Sequence, residues 1–508
     1  MNDRRQLADV CLILEGTYPY VTGGVSAWTH NLINAQKDLS FHLMTLLPVG
    51  APKELRYSIP PNVVSHSTAF VQQLRSGKKM TDGQTRVLCE ALQEHLLGMQ
   101  SRGGIEHLAG IIEALKPFRQ HAGAPTLLNS PGAWEMVKRM YERCYPHSSF
   151  LDYFWSCRGL LGGLYSILLS DLPPARVYHT ISTGYAGLLG ARATLETGRP
   201  LLLTEHGIYT NERRIEIGMA NWLNAGTSSS LDIHARMPTL KDLWINTFIA
   251  YSRACYEAAS EIITLYEGNQ QFQLQDGAAP EKLRIIPNGI DYDRFASIRR
   301  ETGDRRPSVA LIGRVVPIKD VKTFLRACAL LKNLIPDIEA YVLGPTDEDS
   351  EYFRECENMA GHLGIRDVVT FTGRVKLDDY LGRMDVVVLT SISEAQPLTV
   401  LEAGAAGIPT VATDVGACRE MIMGRASESP ALGPGGAVTP LRNPASTAAA
   451  MAKLLHDRQW YRQCSRAIQE RIRTSYNKAT SDQTYRAVYE TYLHHAATNI
   501  NLHRETVN

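Results

Sequence analysis

The stretch TSISEAQPLTVLEAGAAGIPTVATDVGACRE, residues 390 to 420, decides the fold of this chain. The apolar run VVVLT that ends at Thr390 is typical of a strand buried on both faces of a parallel sheet. A short polar loop follows, and Pro397 predicts the start of a helix because proline is favoured at the first helical position. The run PTVAT and a second helical pattern come next. The stretch therefore predicts strands that alternate with helices.

Two glutamates flank the loop in this stretch. Glu394 precedes the helix, and Glu402 lies about one turn inside it. The N–H groups of Leu398 and Thr399 have no acceptor in a preceding turn, so they carry the partial positive charge of a helix N-terminus. An anion site with two carboxylates suits a ligand that has phosphates and hydroxyls, such as a nucleotide-sugar. The alternative is a pair of ordinary acids favoured by the helix dipole, so the interpretation depends on further residues of the same site.

Length and composition limit the class of protein. The chain has 508 residues, which favours two large domains. A formal net charge of +1 gives no electrostatic case for nucleic acid or a strongly anionic membrane. Nine cysteines without a CxxC pair indicate a reducing compartment and argue against zinc sites and disulfides. No signal-peptide pattern is present and the most apolar segment, 159–169, is too short to span a bilayer, so we expect a cytosolic protein.

Two successive series of strands and helices predict two doubly wound parallel sheets in tandem, an α/β fold. The first domain is predicted at 1–296, with a largely helical insertion at about 50–170. A polar, arginine-rich linker is predicted at 297–307 and the second domain at 308–474. The last segment, 475–508, is predicted to be helical and to cross back to the first domain. A glycine-rich turn is predicted at Gly433–Gly436.

Chemically informative residues of the second domain follow its strands, where ligands bind in open α/β sheets. Gly313 and Arg314 follow the first strand, and Lys319 opens the next helix. An arginine and a lysine at this position can neutralise a diphosphate. Gly373 ends another strand before Arg374 and Val375, where the main chain could contact a flat base. Taken alone, Lys319 is better explained as a solvated helix lysine, and the glycine that ends the strand is equally compatible with a plain strand-to-helix turn.

The first domain contributes two further strand ends. Gly23 and Gly24 lie between the first strand and a helix, which indicates a backbone-amide site for a phosphate or a sugar. His206 ends the strand LLLTE and is a candidate site residue, and His179 is a weaker candidate of the same kind.

Several rival motifs are absent or poorly placed in the sequence. It contains neither the GxGxxG dinucleotide fingerprint after a strand nor the GxxxxGK[ST] phosphate loop. Two DxD strings, 291–293 and 347–349, are attributed to chance, so no metal site is predicted.

The combination of Glu394 and Glu402 with Gly313-Arg314, Lys319, IPNGID and the Gly-Gly loop resembles glycosyltransferase family 4. The long insertion, followed by TEHGIYTNERR, is similar to one subgroup, the cytosolic glycosyltransferases of the Pel exopolysaccharide system. The resemblance implies the GT-B fold, in which two Rossmann-like domains face a cleft. It implies that Arg314 and Lys319 bind the donor diphosphate and that Glu402 and Glu394 bind the ribose and the donor sugar. The main chain at Arg374 would contact the base, and Gly24 and His206 would face the reacting sugar.

The resemblance further implies a retaining, metal-independent transfer of a hexose or an N-acetylhexosamine from a UDP-sugar to a growing exopolysaccharide. The expected partners are the donor, a polysaccharide acceptor and inner-membrane export proteins, with no nucleic acid and no cofactor. One departure is Ala395-Gln396, where many members have a glycine or an aromatic residue, so the donor sugar is not defined. Two alternatives stay open, a nucleotide-sugar epimerase of the same fold and an inactive scaffold that senses nucleotide-sugars. The presence of both Arg314 and Lys319 weighs against the scaffold.

Overall fold

The structure is a computed structural model that describes residues 7–51, 54–78, 80–219, 238–301, 303 and 305–505. The chain divides into two compact units. The first consists of Met1–Thr264, Asn269–Arg284 and Arg486–Asn508, and the second of Leu265–Gly268 and Ile285–Tyr485.

The first unit is built on a seven-stranded sheet with the order β3-β2-β1-β4-β5-β6-β7. The strand pairs from β3 to β6 are all parallel. Strand order reverses between β1 and β4, as it does in doubly wound folds. The strands are β1 Ala8–Glu15, β2 Phe41–Pro48, β3 Val63–Val71, β4 Ala175–Thr180, β5 Leu201–Glu205, β6 Glu261–Thr264 and β7 Leu283–Ile285.

Helices cover the first sheet and fill most of the predicted insertion. Leucines of the insertion helices and residues of β1 and β2 belong to one hydrophobic core, so the insertion is not a separate domain. The helices are α1 Gly24–Ala35, α2 Asp82–Gln100, α3 Ile105–Leu115, α4 Ala124–Leu127, α5 Pro131–Cys144, α6 Phe150–Leu169, α7 Tyr185–Thr197, α8 Tyr209–Met219, α9 Leu240–Ala258 and α10 Glu267–Gln275. The beginning of α10 is grouped with the second unit.

The second unit is built on a six-stranded sheet with the order β10-β9-β8-β11-β12-β13, in which every neighbouring pair is parallel. The strands are β8 Ser308–Ile312, β9 Glu339–Leu343, β10 Val369–Gly373, β11 Val386–Leu389, β12 Thr410–Thr413 and β13 Gly436–Thr439. The helices are α11 Tyr292–Ala296, α12 Val321–Leu334, α13 Ser350–His362, α14 Asp378–Leu381, α15 Leu398–Ala405, α16 Cys418–Met423, α17 Pro444–His456, α18 Arg458–Ser475 and α19 Lys478–Glu505. The predicted fold class, two Rossmann-like domains of the GT-B type, is confirmed.

The division between the units differs from the predicted boundaries. The IPNGID turn and α11 belong to the second unit because Ile290 and Phe295 are buried in its core. The predicted linker also lies within this unit, where Arg305 forms an ion pair with Asp385 at 2.5 Å. Residues 486–508 group with the first unit, where Tyr489 packs against Phe41.

Three local predictions differ from the structure. The insertion range contains a strand, β3, which pairs with β2 along its whole length. The last glycine of the predicted turn at Gly433–Gly436 begins β13. Pro397 is the N-cap residue, with φ −71° and ψ 113°, and the helix itself begins at Leu398. Proline is compatible with this extended position because its N–H is not required there.

Candidate active site

Lys319 and Glu394 are brought into direct contact in the second unit. Lys319 Nζ lies 2.5 Å from Glu394 Oε1, and the two side chains are only 21% and 13% exposed. The residues follow β8 and β11, which are neighbours in the sheet, so the loops beyond their carboxyl ends meet. A charge pair that is largely removed from water interacts more strongly than a surface pair. The predicted site residues with opposite charges therefore form one electrostatic group.

The main chain around Lys319 is held by the end of β11. The hydroxyl of Thr390 donates to the carbonyl oxygens of Lys319 at 3.1 Å and Asp320 at 2.9 Å. Asp320 adopts a left-handed conformation, φ 44°, and its carboxylate caps α12 by accepting from Thr323 N–H at 3.3 Å. These contacts turn the chain sharply after the short 3-10 turn that ends at Lys319.

Arg314 and Gly313 occupy the neighbouring turn after β8. The Arg314 guanidinium is 55% exposed and donates from Nη1 to Glu348 at 2.8 Å. An exposed ion pair contributes little stability, so a bound anion could replace this partner at low cost. A Cβ atom built on Gly313 would lie 3.6 Å from Lys319 Cε, and one on Gly344 would lie 2.1 Å from the Gly313 oxygen. Glycine at 344 therefore permits the close approach of the two strand ends.

Glu402 lies in α15 and is half-buried. Among the described residues, no donor forms a hydrogen bond with its carboxylate. Burial raises the pKa of Glu402, Arg294 lowers it and Asp378 raises it. A half-buried carboxylate without a donor is costly unless a ligand supplies one. Leu398 and Thr399 form the first turn of the same helix, as predicted.

Arg374 and Val375 follow β10, as the sequence predicted. Gly373 has a φ of +67°, a conformation that glycine adopts readily and that ends the strand. Arg374 is exposed, and Val375 packs partly against the hydrophobic core of the second unit.

The two DxD strings have structural roles at helix starts. Asp291 caps α11 by accepting from Arg294 N–H at 3.2 Å, and Asp349 caps α13 by accepting from Tyr352 N–H at 2.9 Å. N-terminal caps commonly use aspartate in this way.

In the first unit, Gly23 and Gly24 begin α1, directly after the loop that follows β1. Gly23 is the N-cap residue and Gly24 the first helical residue. Within the part of the chain that the structure describes, no atom outside the neighbouring residues lies within 4 Å of a Cβ built on either glycine. Packing therefore does not require glycine at either position.

His206 follows β5 and packs edge-on against Trp28, with 4.6 Å between the ring centroids. Both ring nitrogens are buried, and neither has a hydrogen-bond partner among the described residues. Burial lowers the pKa of His206 to about 4, so the imidazole is neutral at neutral pH. Neutral imidazole offers one donor and one acceptor.

His179, the weaker candidate, is fully buried and hydrogen-bonded. Its Nδ1 lies 2.7 Å from the Tyr489 hydroxyl and its Nε2 lies 2.9 Å from the Thr204 hydroxyl. A histidine with both nitrogens satisfied in the core has a structural role.

The sequence interpretation missed a buried carboxyl group beside His206. Glu205 is 1% exposed and accepts from the Tyr256 hydroxyl at 2.8 Å, Gln273 Nε2 at 3.0 Å and Tyr209 N–H at 3.2 Å. Burial raises the pKa of Glu205 to about 7, although these hydrogen bonds lower it. Because Tyr209 begins α8, Glu205 fixes the turn that carries His206.

Glu15 is a second missed carboxyl group, at the end of β1. It accepts from Ala186 N–H at 3.0 Å and from the Tyr209 hydroxyl at 3.3 Å. Burial raises its pKa, with Ala186 N–H and Arg213 acting in the opposite direction. The available signal was an acid at the end of an apolar strand, in VCLILE and again in LLLTE.

Residues 8–281, more than half of the chain, match the family model described as "Domain of unknown function (DUF3492)". The chain belongs to the DUF3492 family. Residues 295–471 match the model described as "Glycosyl transferases group 1". This DUF3492 protein therefore carries a group 1 glycosyl transferase domain after its family-specific part, and that domain contains Lys319, Glu394 and Glu402.

Curated relatives match parts of this DUF3492 chain. A D-inositol 3-phosphate glycosyltransferase from Kribbella flavida is 32% identical over 175 residues, which cover 32% of this chain and 39% of that protein. An MMP alpha-(1->4)-mannosyltransferase from Mycolicibacterium hassiacum is 27% identical over 229 residues, which cover 44% and 51%. The matched regions thus span about half or less of the length of these relatives.

Solved structures share the fold over nearly the whole chain. The Anabaena protein Alr3699/HepE in complex with UDP has a TM-score of 0.58 at 14% identity and covers 95% of this chain and 100% of its own. Sucrose-phosphate synthase from Thermosynechococcus elongatus has a TM-score of 0.55 at 15% identity and covers 95% and 98%. Within the described ranges, every helix of the DUF3492 protein is too short or too polar to span a bilayer.

Proposed function

We propose that this protein is a retaining, metal-independent glycosyltransferase that moves a hexose or an N-acetylhexosamine from a UDP-sugar to a growing exopolysaccharide. The observation that carries the proposal is the Lys319–Glu394 pair at the strand ends of a group 1 glycosyl transferase domain. The relatives named above transfer sugars, and one neighbour of the same fold is a UDP complex. These likenesses support a nucleotide-sugar donor.

The reaction breaks the bond between the sugar C1 and the diphosphate oxygen and forms a bond between C1 and an acceptor hydroxyl oxygen. The electron pair of the broken bond remains on the departing UDP, and the acceptor proton passes to a phosphate oxygen of that UDP. The negative charge on the diphosphate grows as C1 becomes cationic. Arg314 and Lys319 would stabilise this charge, which is where fixed cations accelerate a reaction most. A front-side departure of this kind retains the configuration at C1 without an enzymic nucleophile.

The other residues would bind and orient the substrates. Glu402 would accept from the ribose hydroxyls, since none of the described residues donates a hydrogen bond to its carboxylate. Glu394 would accept from hydroxyls of the donor sugar, and the N–H groups of Leu398 and Thr399 would contact the phosphates. The main chain at Arg374 and Val375 would contact the base. In the first unit, the amides at Gly23 and Gly24 and the neutral His206 would face the reacting sugars.

The test is to titrate the purified protein with a panel of nucleotides and UDP-sugars by calorimetry while products are identified. Binding of UDP and transfer to an oligosaccharide acceptor would support the proposal. Release of a sugar isomer without an acceptor would favour the epimerase. Binding without any product would favour the inactive scaffold, and no binding of UDP or a UDP-sugar would overturn the donor assignment.

The proposed place of work is the cytoplasmic face of the inner membrane, where export proteins would receive the polymer. The helical insertion supplies a surface for a partner or for the polymeric acceptor. Trp134 is 45% exposed and Trp155 is 61% exposed. Both rings contact Phe154, with centroid distances of 5.5 and 5.3 Å, so they belong to one aromatic patch. Exposed tryptophans of this kind are typical of interaction sites.

Replacement of Trp134 and Trp155 by alanine tests the role of this patch. We expect unchanged affinity for UDP and reduced polymer formation in cells. Val87→Ala, which removes another exposed apolar side chain of the insertion, is the matched control. Normal polymer output from a folded double variant would leave these tryptophans without the proposed role.

A further inference from the structure

Gln396 lies in the loop between the two glutamates, and its amide binds the main chain of another loop. The side chain is 7% exposed. Its Oε1 accepts from Asn288 N–H at 2.9 Å, and its Nε2 donates to the carbonyl oxygen of Asn288 at 3.2 Å. A single orientation of the amide satisfies both bonds. The side-chain amide of Gln396 therefore forms the two hydrogen bonds with the Asn288 main chain that a residue of a neighbouring β-strand would form.

The turn that contains Asn288 is itself fixed on its other side. Ile290 N–H donates to the main-chain carbonyl oxygen of Tyr476 at 2.9 Å, and Lys478 N–H donates to the carbonyl oxygen of Ile290 at 2.8 Å. A Cβ atom built on Gly289 would lie 2.5 Å from Lys478 N, so the two main chains are in close contact. Gln396 thus ties its own loop to a rigid part of the second unit.

The loop of Gln396 is held at two further points by its main chain. Ile392 N–H donates to the carbonyl oxygen of Ile318 at 2.8 Å, and Ala417 N–H donates to the carbonyl oxygen of Ala395 at 2.8 Å. Of the described residues outside α15, none forms a main-chain hydrogen bond with Gln396 or Pro397, so the Gln396 side chain provides the attachment there. Glu394 lies on one side of this attachment and the first turn of α15 on the other.

We infer that Gln396 is a positioning residue that makes the site selective for its donor sugar. It holds the Glu394 carboxylate, two residues earlier in the same loop, in one arrangement, so a sugar with differently oriented hydroxyls fits poorly. Preorganised groups bind their ligand without an ordering cost, and small displacements reduce productive binding. The inference rests on the proposed function because it concerns the sugar part of a UDP-sugar. Gln396 acts through the loop and need not touch the substrate.

Gln396→Met tests the inference because it keeps the length of the side chain and removes both hydrogen bonds. Gln469→Met is the matched control, since Gln469 Nε2 donates to the Ala405 carbonyl at 3.0 Å, at the opposite end of α15. The measurements are the affinity for UDP and the kcat and KM for UDP-glucose and UDP-N-acetylglucosamine. For Gln396→Met we expect KM for the preferred sugar to rise about ten-fold, equivalent to about 1.4 kcal/mol. In this variant the ratio of kcat/KM between the two UDP-sugars should move closer to one, and UDP affinity should be unchanged. Gln469→Met should change neither the sugar preference nor the UDP affinity.

Two results with the folded Gln396→Met variant would overturn the inference. Unchanged KM and sugar preference would show that the amide only stabilises the loop. An equal loss of affinity for UDP and for the UDP-sugars would show that Gln396 acts on the nucleotide. Failure of the proposed function is distinguishable because it would be seen in the wild-type protein, which would then not transfer a sugar from a UDP-sugar to an acceptor.

Discussion

Lys319 and Glu394 form an ion pair, with 2.5 Å between Nζ and Oε1, although they lie on loops that follow different strands. Their side chains are mostly buried, so the two charges interact more strongly than an exposed pair would. A diphosphate that reaches this pair offers the lysine a second anionic partner, and hydroxyl groups offer the carboxylate donors. Under the proposed function, the pair therefore places a group for the diphosphate and a group for the sugar hydroxyls at one position.

Lys319→Ala should reduce kcat/KM for a UDP-sugar by about 10²–10³, because a fixed cation that acts on transition-state charge contributes about this much. Lys322→Ala is the matched control: Lys322 lies three residues later and forms an ion pair with Glu355 at 2.6 Å. The measurement is steady-state kinetics together with thermal unfolding of both variants. Normal kinetics in a folded Lys319→Ala protein would remove the lysine from the reaction.

Glu402→Gln should weaken UDP binding, since a hydrogen bond to a charged group contributes about 1.5–3 kcal/mol. Burial raises the pKa of Glu402. As the pH falls, the wild-type carboxylate should therefore become protonated at a higher pH than an ordinary glutamate does. UDP affinity should fall in that same pH range. Asp378 also raises this pKa, so Asp378→Asn should move the loss of affinity to lower pH. Calorimetry with UDP at several pH values measures both effects. A pH dependence shared by wild type and Glu402→Gln would assign it to another group.

The strands that were predicted from the sequence are those that are long, apolar and followed by a glycine or a polar loop. β3, VVSHSTAFV, was missed because it is an edge strand, and its polar His66 and serines are tolerated where burial is incomplete. β13 was missed because it begins at Gly436, and glycine indicates a turn more often than a strand. Both strands depend on tertiary pairing with a neighbour, which a local pattern does not contain.

The candidate site was predictable residue by residue but not as a set of contacts. Strand ends located Arg314, Lys319 and His206, since parallel strands present their carboxyl ends at one edge of a sheet. The Lys319–Glu394 pair was not predictable because it depends on β8 and β11 being neighbours in space. Glu205 was missed because its environment consists of Tyr256 and Gln273, far away in the sequence.

Turnover of the UDP-sugar should be unaffected by EDTA if Arg314 and Lys319 supply the positive charge for the diphosphate. Asp291 and Asp349 are engaged as helix caps. Asp349→Asn should therefore leave turnover unchanged, because asparagine also caps a helix well. The assay is product formation after removal of divalent ions, with and without added manganese. Activity that EDTA abolishes and manganese restores would contradict the assignment of the diphosphate site.

Glu205→Gln should change how stability depends on pH. The pKa of Glu205 is raised from 4.5 to about 7 by burial, so the carboxyl holds its proton to higher pH in the folded chain. Its contribution to stability is therefore complete below about 4.5 and is lost as the pH rises through about 7. Glutamine cannot ionise, so the melting temperature of wild type should fall relative to Glu205→Gln across this range. The expected difference is a few degrees, at roughly 2–4 °C per kcal/mol for domains of this size. Thermal unfolding at a series of pH values measures it, with the exposed Glu142→Gln as control. Parallel curves for wild type and Glu205→Gln would show that Glu205 is already ionised in the folded protein at acidic pH.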